Sequence, residues 1–396
     1  MKVLMINSVC GVTSTGRICA DIADLLTEAG HECKIAYARG NVPEKWQKYA
    51  VKIGSETDVR LHALSTRIFD NTGFCSKGAT RKFIKWIEEY KPDVIHMHNL
   101  HGYYIHIGLL FEFLKKYNKP VVWTLHDCWS FTGHCPHYDF QKCDKWLTGC
   151  YECPLKGEYP ASTVFDRSKK NYAQKKQLFC GVKNMTIVTP SHWLKGETEK
   201  SFLKEYSVQV IHNGIDTEIF VPVESNVKAK NELENKKIVL GVANVWSKRK
   251  GIADFVHLAS VLPESYKIVL VGDLRGETIP ESILHITHTD SQKELAEIYS
   301  AADVFLNPTY EDTFPTTNLE ALACGTPVIT YQTGGSPESI DAFCGAVLPM
   351  GDVKALEEKV LNAQFDRQKC LEKGLSFERK TRFADYVSLY KELAND

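Results

Sequence analysis

Nowhere in its 396 residues does the sequence hold the run of about 18 consecutive apolar residues that a membrane-crossing helix needs. Its first residues, Met1-Lys2-Val3-Leu4-Met5-Ile6-Asn7, turn polar too soon to serve as the apolar region of a secretion signal. Excess charge is missing too, since 48 basic residues meet 49 acidic ones for a net charge of −1. No short repeat and no low-complexity tract is visible. These absences exclude disordered, collagen-like and coiled-coil chains. Without a secretion signal, the 13 cysteines point to a reducing cytoplasm, where clustered cysteines more often hold metal than form disulfides.

What is present is an ordinary globular composition, 43% hydrophobic and 24% charged. At roughly 150 residues per domain, the length suggests two to three domains. The charge is unevenly spread: residues 1–222 carry 29 Lys and Arg against 23 Asp and Glu, or +6, and residues 223–396 carry 19 against 26, or −7. A basic half is able to face anionic lipid or a phosphorylated substrate. Nucleic acid is disfavoured, because the Lys and Arg residues are scattered and the acidic half would repel a polyanion.

Short β-branched runs alternate with amphipathic stretches, the pattern of βα units in a parallel sheet. Expected strands in the first series are Lys2–Asn7, Glu32–Ala38, Asp93–His98, Pro120–His126, Met185–Thr189 and Val208–His212. A second series runs through Lys237–Ala243, Tyr266–Val271, Ile283–His288, Asp303–Leu306, Pro327–Tyr331 and Gly345–Leu348. Val221–Lys236, rich in Glu, Lys and Asn, reads as a linker. Phe383, Tyr386, Leu389, Tyr390 and Leu393 recur at helical spacing, so a closing amphipathic helix is expected over 377–396. The fold class is α/β with two Rossmann-like domains, 1–222 and 223–376, and ligands belong in the loops beyond the carboxyl ends of the strands.

Lys248-Arg249-Lys250-Gly251 follows the first strand of the second series and leads into a helix, a setting that favours a diphosphate. Asp312-Thr313-Phe314-Pro315-Thr316-Thr317-Asn318-Leu319-Glu320 places one acidic group in a strand-end loop and another two turns along a helix. Each carboxylate can accept hydrogen bonds from a vicinal diol. Gly334-Gly335-Ser336-Pro337-Glu338 follows.

Together with Ser14-Thr15-Gly16-Arg17, Leu125-His126-Asp127, Thr189-Pro190-Ser191 and Asn213-Gly214-Ile215-Asp216, this series resembles the family-4 retaining glycosyltransferases of the GT-B fold. It is especially similar to the branch serving bacterial capsule, colanic-acid and O-antigen synthesis. The resemblance implies two facing Rossmann-like domains with a cleft, the first for the acceptor and the second for a nucleotide-diphosphate sugar. It implies that Lys250 binds the donor diphosphate, Glu320 the ribose and Asp312 the transferred sugar. Gly16 matches the glycine that lets the first loop approach the diphosphate, and His126 the active-site histidine beside the reacting sugar. Asn244, Lys248, Glu311, Phe314, Thr316 and Thr317 complete the expected donor contacts. The catalytic set is then His126, Lys250 and Asp312.

Three positions depart from the family pattern. Asn244 stands where an Arg is common, leaving Lys248 or Arg249 to supply the charge; Asp312 replaces Glu, with Glu311 beside it; and Pro315 has no N–H to offer a sugar hydroxyl.

His96, His98, His101 and His106 cluster around one strand end, a pattern that favours hydroxyl recognition over metal. In the resemblance this loop borders the acceptor pocket, with Asn99, His101 and Tyr103 as contacts. Cys135, Cys143, Cys150 and Cys153 fall inside a cysteine-rich loop over 128–153. Four such ligands suit a structural zinc, whereas the transfer chemistry itself calls for no cofactor. The expected protein is a cytoplasmic glycosyltransferase, able to sit on the inner face of the membrane. It would use a UDP-sugar, or alternatively a GDP-sugar, to extend a lipid-linked saccharide. An inert partner subunit and an epimerase on the same fold are the rival readings.

Overall fold

Apolar runs bounded by turn residues form two wholly parallel sheets in this computed structural model, which describes residues 1–362 and 364–395. The first comprises β1 (Lys2–Ile6), β2 (Glu32–Tyr37), β3 (Ala50–Lys52), β4 (Val94–Met97), β5 (Val121–Thr124), β6 (Met185–Thr189) and β7 (Val208–Val210), in the order β3-β2-β1-β4-β5-β6-β7. The second comprises β8 (Lys237–Val245), β9 (Tyr266–Asp273), β10 (Leu284–Ile286), β11 (Val304–Asn307), β12 (Val328–Tyr331) and β13 (Gly345–Leu348), in the order β10-β9-β8-β11-β12-β13. β4, β5, β6, β11 and β12 are buried along their whole length, because helices cover both faces of a parallel sheet. Alternation then divides each strand between two cores: Leu4 and Ile6 enter one apolar cluster, and Val3 and Met5 the other.

Chain connectivity reverses direction between β1 and β4 in the first sheet and between β8 and β11 in the second. Crevices for ligands open at such switch points. The loops 7–12 and 98–106, and separately 246–251 and 308–315, are therefore the places to look for chemistry.

Contacts group the chain into two compact units, Met1–His212 with Arg382–Asp396, and Asn213–Thr381. Eight residues, 213–220, separate this division from the stretch expected as a linker. Ile215 and Phe220 are buried in the second core, and Val227 and Leu233 of that stretch pack there as well. The expected closing helix is Arg379–Asn395, whose Phe383, Tyr386, Leu389 and Tyr390 are buried in the first unit. Among the described residues, no helix is long and apolar enough to cross a membrane.

Candidate functional site

The second unit gathers its polar side chains where β8, β11 and β12 end. After β8 the chain makes one tight turn over Lys248–Lys250 and enters the helix Ile252–Val261. The Tyr310 N–H donates to the Arg249 carbonyl at 2.9 Å, joining this turn to the loop that follows β11. Across that junction Lys250 Nζ donates to Asp312 Oδ2 at 2.7 Å, and Arg249 Nε lies 3.4 Å from Glu311 Oε1. The Lys250 and Asp312 side chains are each about one-fifth exposed. The two expected donor-site charges thus hold each other, while Glu311 is buried toward Arg249 and Lys248 stays exposed. Asn244 is exposed in the bulge between Val242 and Val245 at the end of β8.

A buried hydrogen-bonded network fixes the acidic loop from beneath. Asn307 Nδ2 donates to Asn318 Oδ1 at 2.8 Å, and Asn318 Nδ2 reaches Ser336 Oγ at 3.3 Å and Ser339 Oγ at 3.2 Å. Ser336 Oγ also meets Thr330 Oγ1 at 2.7 Å. Satisfied networks of this kind rigidify the elements they join, here the ends of β11 and β12 and the helix Thr316–Ala323. Gly334 is pressed against the same loop: at φ +51°, a Cβ on it would meet the Asp312 carbonyl oxygen at 1.8 Å, and the Gly335 N–H donates to that oxygen at 3.1 Å. The Gly334-Gly335 pair is thus explained by close backbone approach.

Along the helix, Thr316 and Thr317 are half-buried in the first turn. One turn on, Glu320 accepts from the Tyr299 hydroxyl at 3.1 Å. Phe314 differs from the expectation of a donor contact. Its ring is buried in the core with its centroid 5.8 Å from that of Phe377, its N–H donates to Asp312 Oδ1 at 3.3 Å and its carbonyl accepts from Asn213 Nδ2 at 3.3 Å. Pro315 precedes the helix and supplies no side-chain cap.

The first unit builds a separate pocket at the ends of β4 and β5. A cavity of about 190 Å³, counting its open mouth, is lined by His98, Asn99, His101, His126, Asp127 and Trp129, among others. His101 Nε2 lies 2.8 Å from Asp127 Oδ2 and its Nδ1 lies 3.1 Å from the Tyr159 hydroxyl. Burial opposes charge on Asp127, but the His101 contact, aided by His137 and the Trp129 N–H, brings its carboxyl down to about 2. His126 Nε2 lies 2.9 Å from His98 Nδ1. Burial holds the His126 ring neutral, pushed down to about 4. Tyr103 takes a left-handed backbone at φ +68°, with its ring centroid 5.9 Å from that of Tyr159.

Gly16 sits in the first turn of the helix Thr13–Glu28, where a Cβ would lie 3.0 Å from Val9 Cγ2 and 3.2 Å from the Gly11 nitrogen. The chain's own loop therefore already requires a small residue there.

The four expected zinc ligands line one further cavity of about 270 Å³. All four cysteines are free. Cys135 and Cys153 are hydrogen-bonded to each other, which together with His134 brings the Cys153 thiol down to about 7 although burial opposes it. The Gly133 N–H donates to Cys150 Sγ at 3.1 Å. The donor chemistry suits zinc, but among the described residues no three of these sulfurs gather within 4.8 Å, so closing a shell would require the side chains to turn.

Sequence reasoning gave no role to four residues that the structure places at or beneath these sites, Asp127, Tyr159, Tyr299 and Asn318, and named His98 only as one of a histidine cluster. Asp127 and Asn318 lie inside the quoted motifs and were legible there. Tyr159 and Tyr299 act from far along the chain and left no local signal.

The pattern described as Glycosyltransferase Family 4 matches residues 15–219, and that described as Glycosyl transferases group 1 matches residues 236–364. The putative colanic acid biosynthesis glycosyl transferase WcaC of Escherichia coli K12 is 28% identical over 275 residues, 67% of this chain and 66% of that protein. The N,N'-diacetylbacillosaminyl-diphospho-undecaprenol alpha-1,3-N-acetylgalactosaminyltransferase of Campylobacter jejuni is 32% identical over 173 residues, 40% of this chain and 45% of that one. The match thus spans between about half and two-thirds of these relatives' length. Among solved structures, Anabaena HepE in complex with UDP shares the fold with a TM-score of 0.69 at 13% identity, over 99% of this chain and 100% of that one. With two parallel-sheet α/β units of the GT-B type and a family match over more than half its length, the chain belongs to glycosyltransferase family 4.

Proposed function

We propose that this protein moves a sugar from a nucleotide-diphosphate sugar, a UDP-sugar in preference to a GDP-sugar, to a lipid-linked saccharide during surface polysaccharide synthesis, with retention of anomeric configuration. The observation that carries the reading is the set of Lys250, Asp312 and Glu320 on the loops and helix at one sheet's switch point. Glu320 would accept the ribose hydroxyls. Lys250, now paired with Asp312, would exchange that partner for the donor diphosphate and stabilise it as it leaves. Asp312, released in that exchange, would be left to accept hydroxyls of the transferred sugar. In the first unit the pocket lined by Asn99 and His101, with Tyr103 farther along the same loop, would take the acceptor saccharide, with neutral His126 beside the reacting sugar.

A lipid carrier is supported by a surface of the first unit. Leu61, Leu64, Phe69, Val164 and Phe165 are all exposed, the Phe69 and Phe165 rings stack at 5.7 Å, and Arg60 and Arg67 flank them on the same helix. Exposed apolar groups edged by arginine suit an anionic bilayer. The buried face of that helix sets the His62 ring 6.0 Å from the Tyr103 ring. One relative also bears a name that places its acceptor on diphospho-undecaprenol. Incubation with UDP- and GDP-sugars and a membrane-lipid acceptor tests the reading. An α-linked product from an α-donor is expected, whereas an inverted anomer, or an epimerised sugar with no acceptor used, would replace it with a rival activity on the same fold.

A further inference from the structure

Three imidazoles stand side by side under the pocket of the first unit. His96 is fully satisfied, with Nδ1 at 2.6 Å from the Tyr390 hydroxyl and Nε2 at 2.7 Å from Thr124 Oγ1. His98 lies against it, ring centroids 4.0 Å apart, and is 1% exposed. Its backbone is held by the Trp123 Nε1–H, which donates to the His98 carbonyl at 3.1 Å. Its Nδ1 meets His126 Nε2 at 2.9 Å with the two rings within 14° of parallel. Among the described residues nothing hydrogen-bonds to His98 Nε2.

Burial keeps both rings uncharged. Two neutral imidazoles joined edge to edge share a single proton, so the tautomer of one dictates that of the other. If His126 were the donor, His98 would carry its own proton on Nε2, a buried N–H with no acceptor. Orphaned N–H groups are the rarer exception in folded proteins. If His98 is the donor, that buried atom is a bare ring nitrogen instead.

We infer that His98 is a positioning residue for the proposed transfer: its Nδ1–H donates to His126 Nε2, holding that ring in place and fixing its proton on Nδ1. The kinetic part of this inference rests on the transferase reading, but the tautomer part does not.

Nitrogen-15 NMR of the histidine side chains in the intact wild-type protein tests the tautomer without a variant. A pyridine-like shift for His126 Nε2, a pyrrole-like shift for its Nδ1, and a scalar coupling across the His98–His126 bond are expected. A pyrrole-like His126 Nε2 would overturn the inference whether or not the protein transfers sugar. In kinetics, His98→Leu should lower kcat by roughly tenfold or more while leaving the donor KM within about twofold, because a misoriented group slows the chemistry more than the binding. His98→Asn should recover much of that loss, since its amide can donate from the place of Nδ1. Should His98→Asn be as impaired as His98→Leu, or a folded His98→Leu keep full turnover, the ring only packs against His96 and the positioning role is refuted.

Discussion

Replacing Gly334 with alanine isolates the close approach that holds the acidic loop. At φ +51° any L-residue meets a steric cost of about 1–2 kcal/mol. The new Cβ would also lie 1.8 Å from the Asp312 carbonyl oxygen, whereas an ordinary carbon–oxygen contact is roughly 3.3 Å, so that backbone must move by about 1.5 Å. The move sacrifices the Gly335 N–H to Asp312 hydrogen bond, about 1 kcal/mol. Together these make a loss of about 2–3 kcal/mol. Gly276→Ala is the matched control: it too has a positive φ, +90°, but nothing lies within 4 Å of its Cβ, so only the backbone cost of about 1–2 kcal/mol applies. Urea denaturation of both variants gives the comparison through midpoints at constant m-value. Gly334→Ala should also weaken nucleotide-diphosphate binding, because Asp312 and its partner Lys250 shift together. Equal midpoints for the two variants, with nucleotide affinity unchanged, would refute the reasoning.

Glu320→Ala should weaken nucleotide-diphosphate binding by about 1.5–3 kcal/mol in calorimetry, the worth of hydrogen bonds to a charged group. Tyr299→Phe, which removes only the hydroxyl that donates to Glu320, should cost less, and the reverse order would take Glu320 out of the ribose site. Acid should destabilise the fold: burial pushes His62 down to about 4, with His106 adding repulsion, so below its unfolded value near 6.5 the unfolded chain binds the extra proton. Stability should therefore fall as pH drops from about 6.5 toward 4, by about 3 kcal/mol from His62 alone; a melting temperature flat over that window would contradict this. For the cysteine loop, about one zinc per chain is expected by elemental analysis, lost with Ser at Cys135, Cys143, Cys150 or Cys153. A metal-free, fully folded preparation would leave those thiols as packing groups alone.

Periodicity and turn residues made most of the fold legible, since twelve of the strands follow apolar runs whose pattern is local. β3 was not legible: Ala50–Lys52 is a three-residue edge strand that gains its identity only by pairing with Ile35–Tyr37. The polar stretch 221–236 looked like a linker because only two apolar residues in it, Val227 and Leu233, anchor it to the second core. At the candidate sites, motifs pointed to Lys250, Asp312, Glu320 and His126, but not to the partners that orient them. Tyr299 reaches Glu320 across 21 positions between two packed helices and His98 reaches His126 across 28 between two strand ends, so only the assembled fold brings them together. Phe314 shows the opposite difficulty, as an aromatic within a site motif serves the core as readily as a ligand.

The central claim, transfer from a nucleotide-diphosphate sugar, is tested most directly by following a labelled sugar and the released nucleoside diphosphate in one reaction with wild type and Lys250→Ala. Nucleoside diphosphate formed mole for mole with glycosylated lipid-linked product is predicted for the wild type, with turnover in Lys250→Ala reduced by about a hundredfold, as expected when a charge that stabilises the leaving group is removed. Wild-type protein that consumes no UDP- or GDP-sugar, or a Lys250→Ala variant with undiminished turnover, would contradict it.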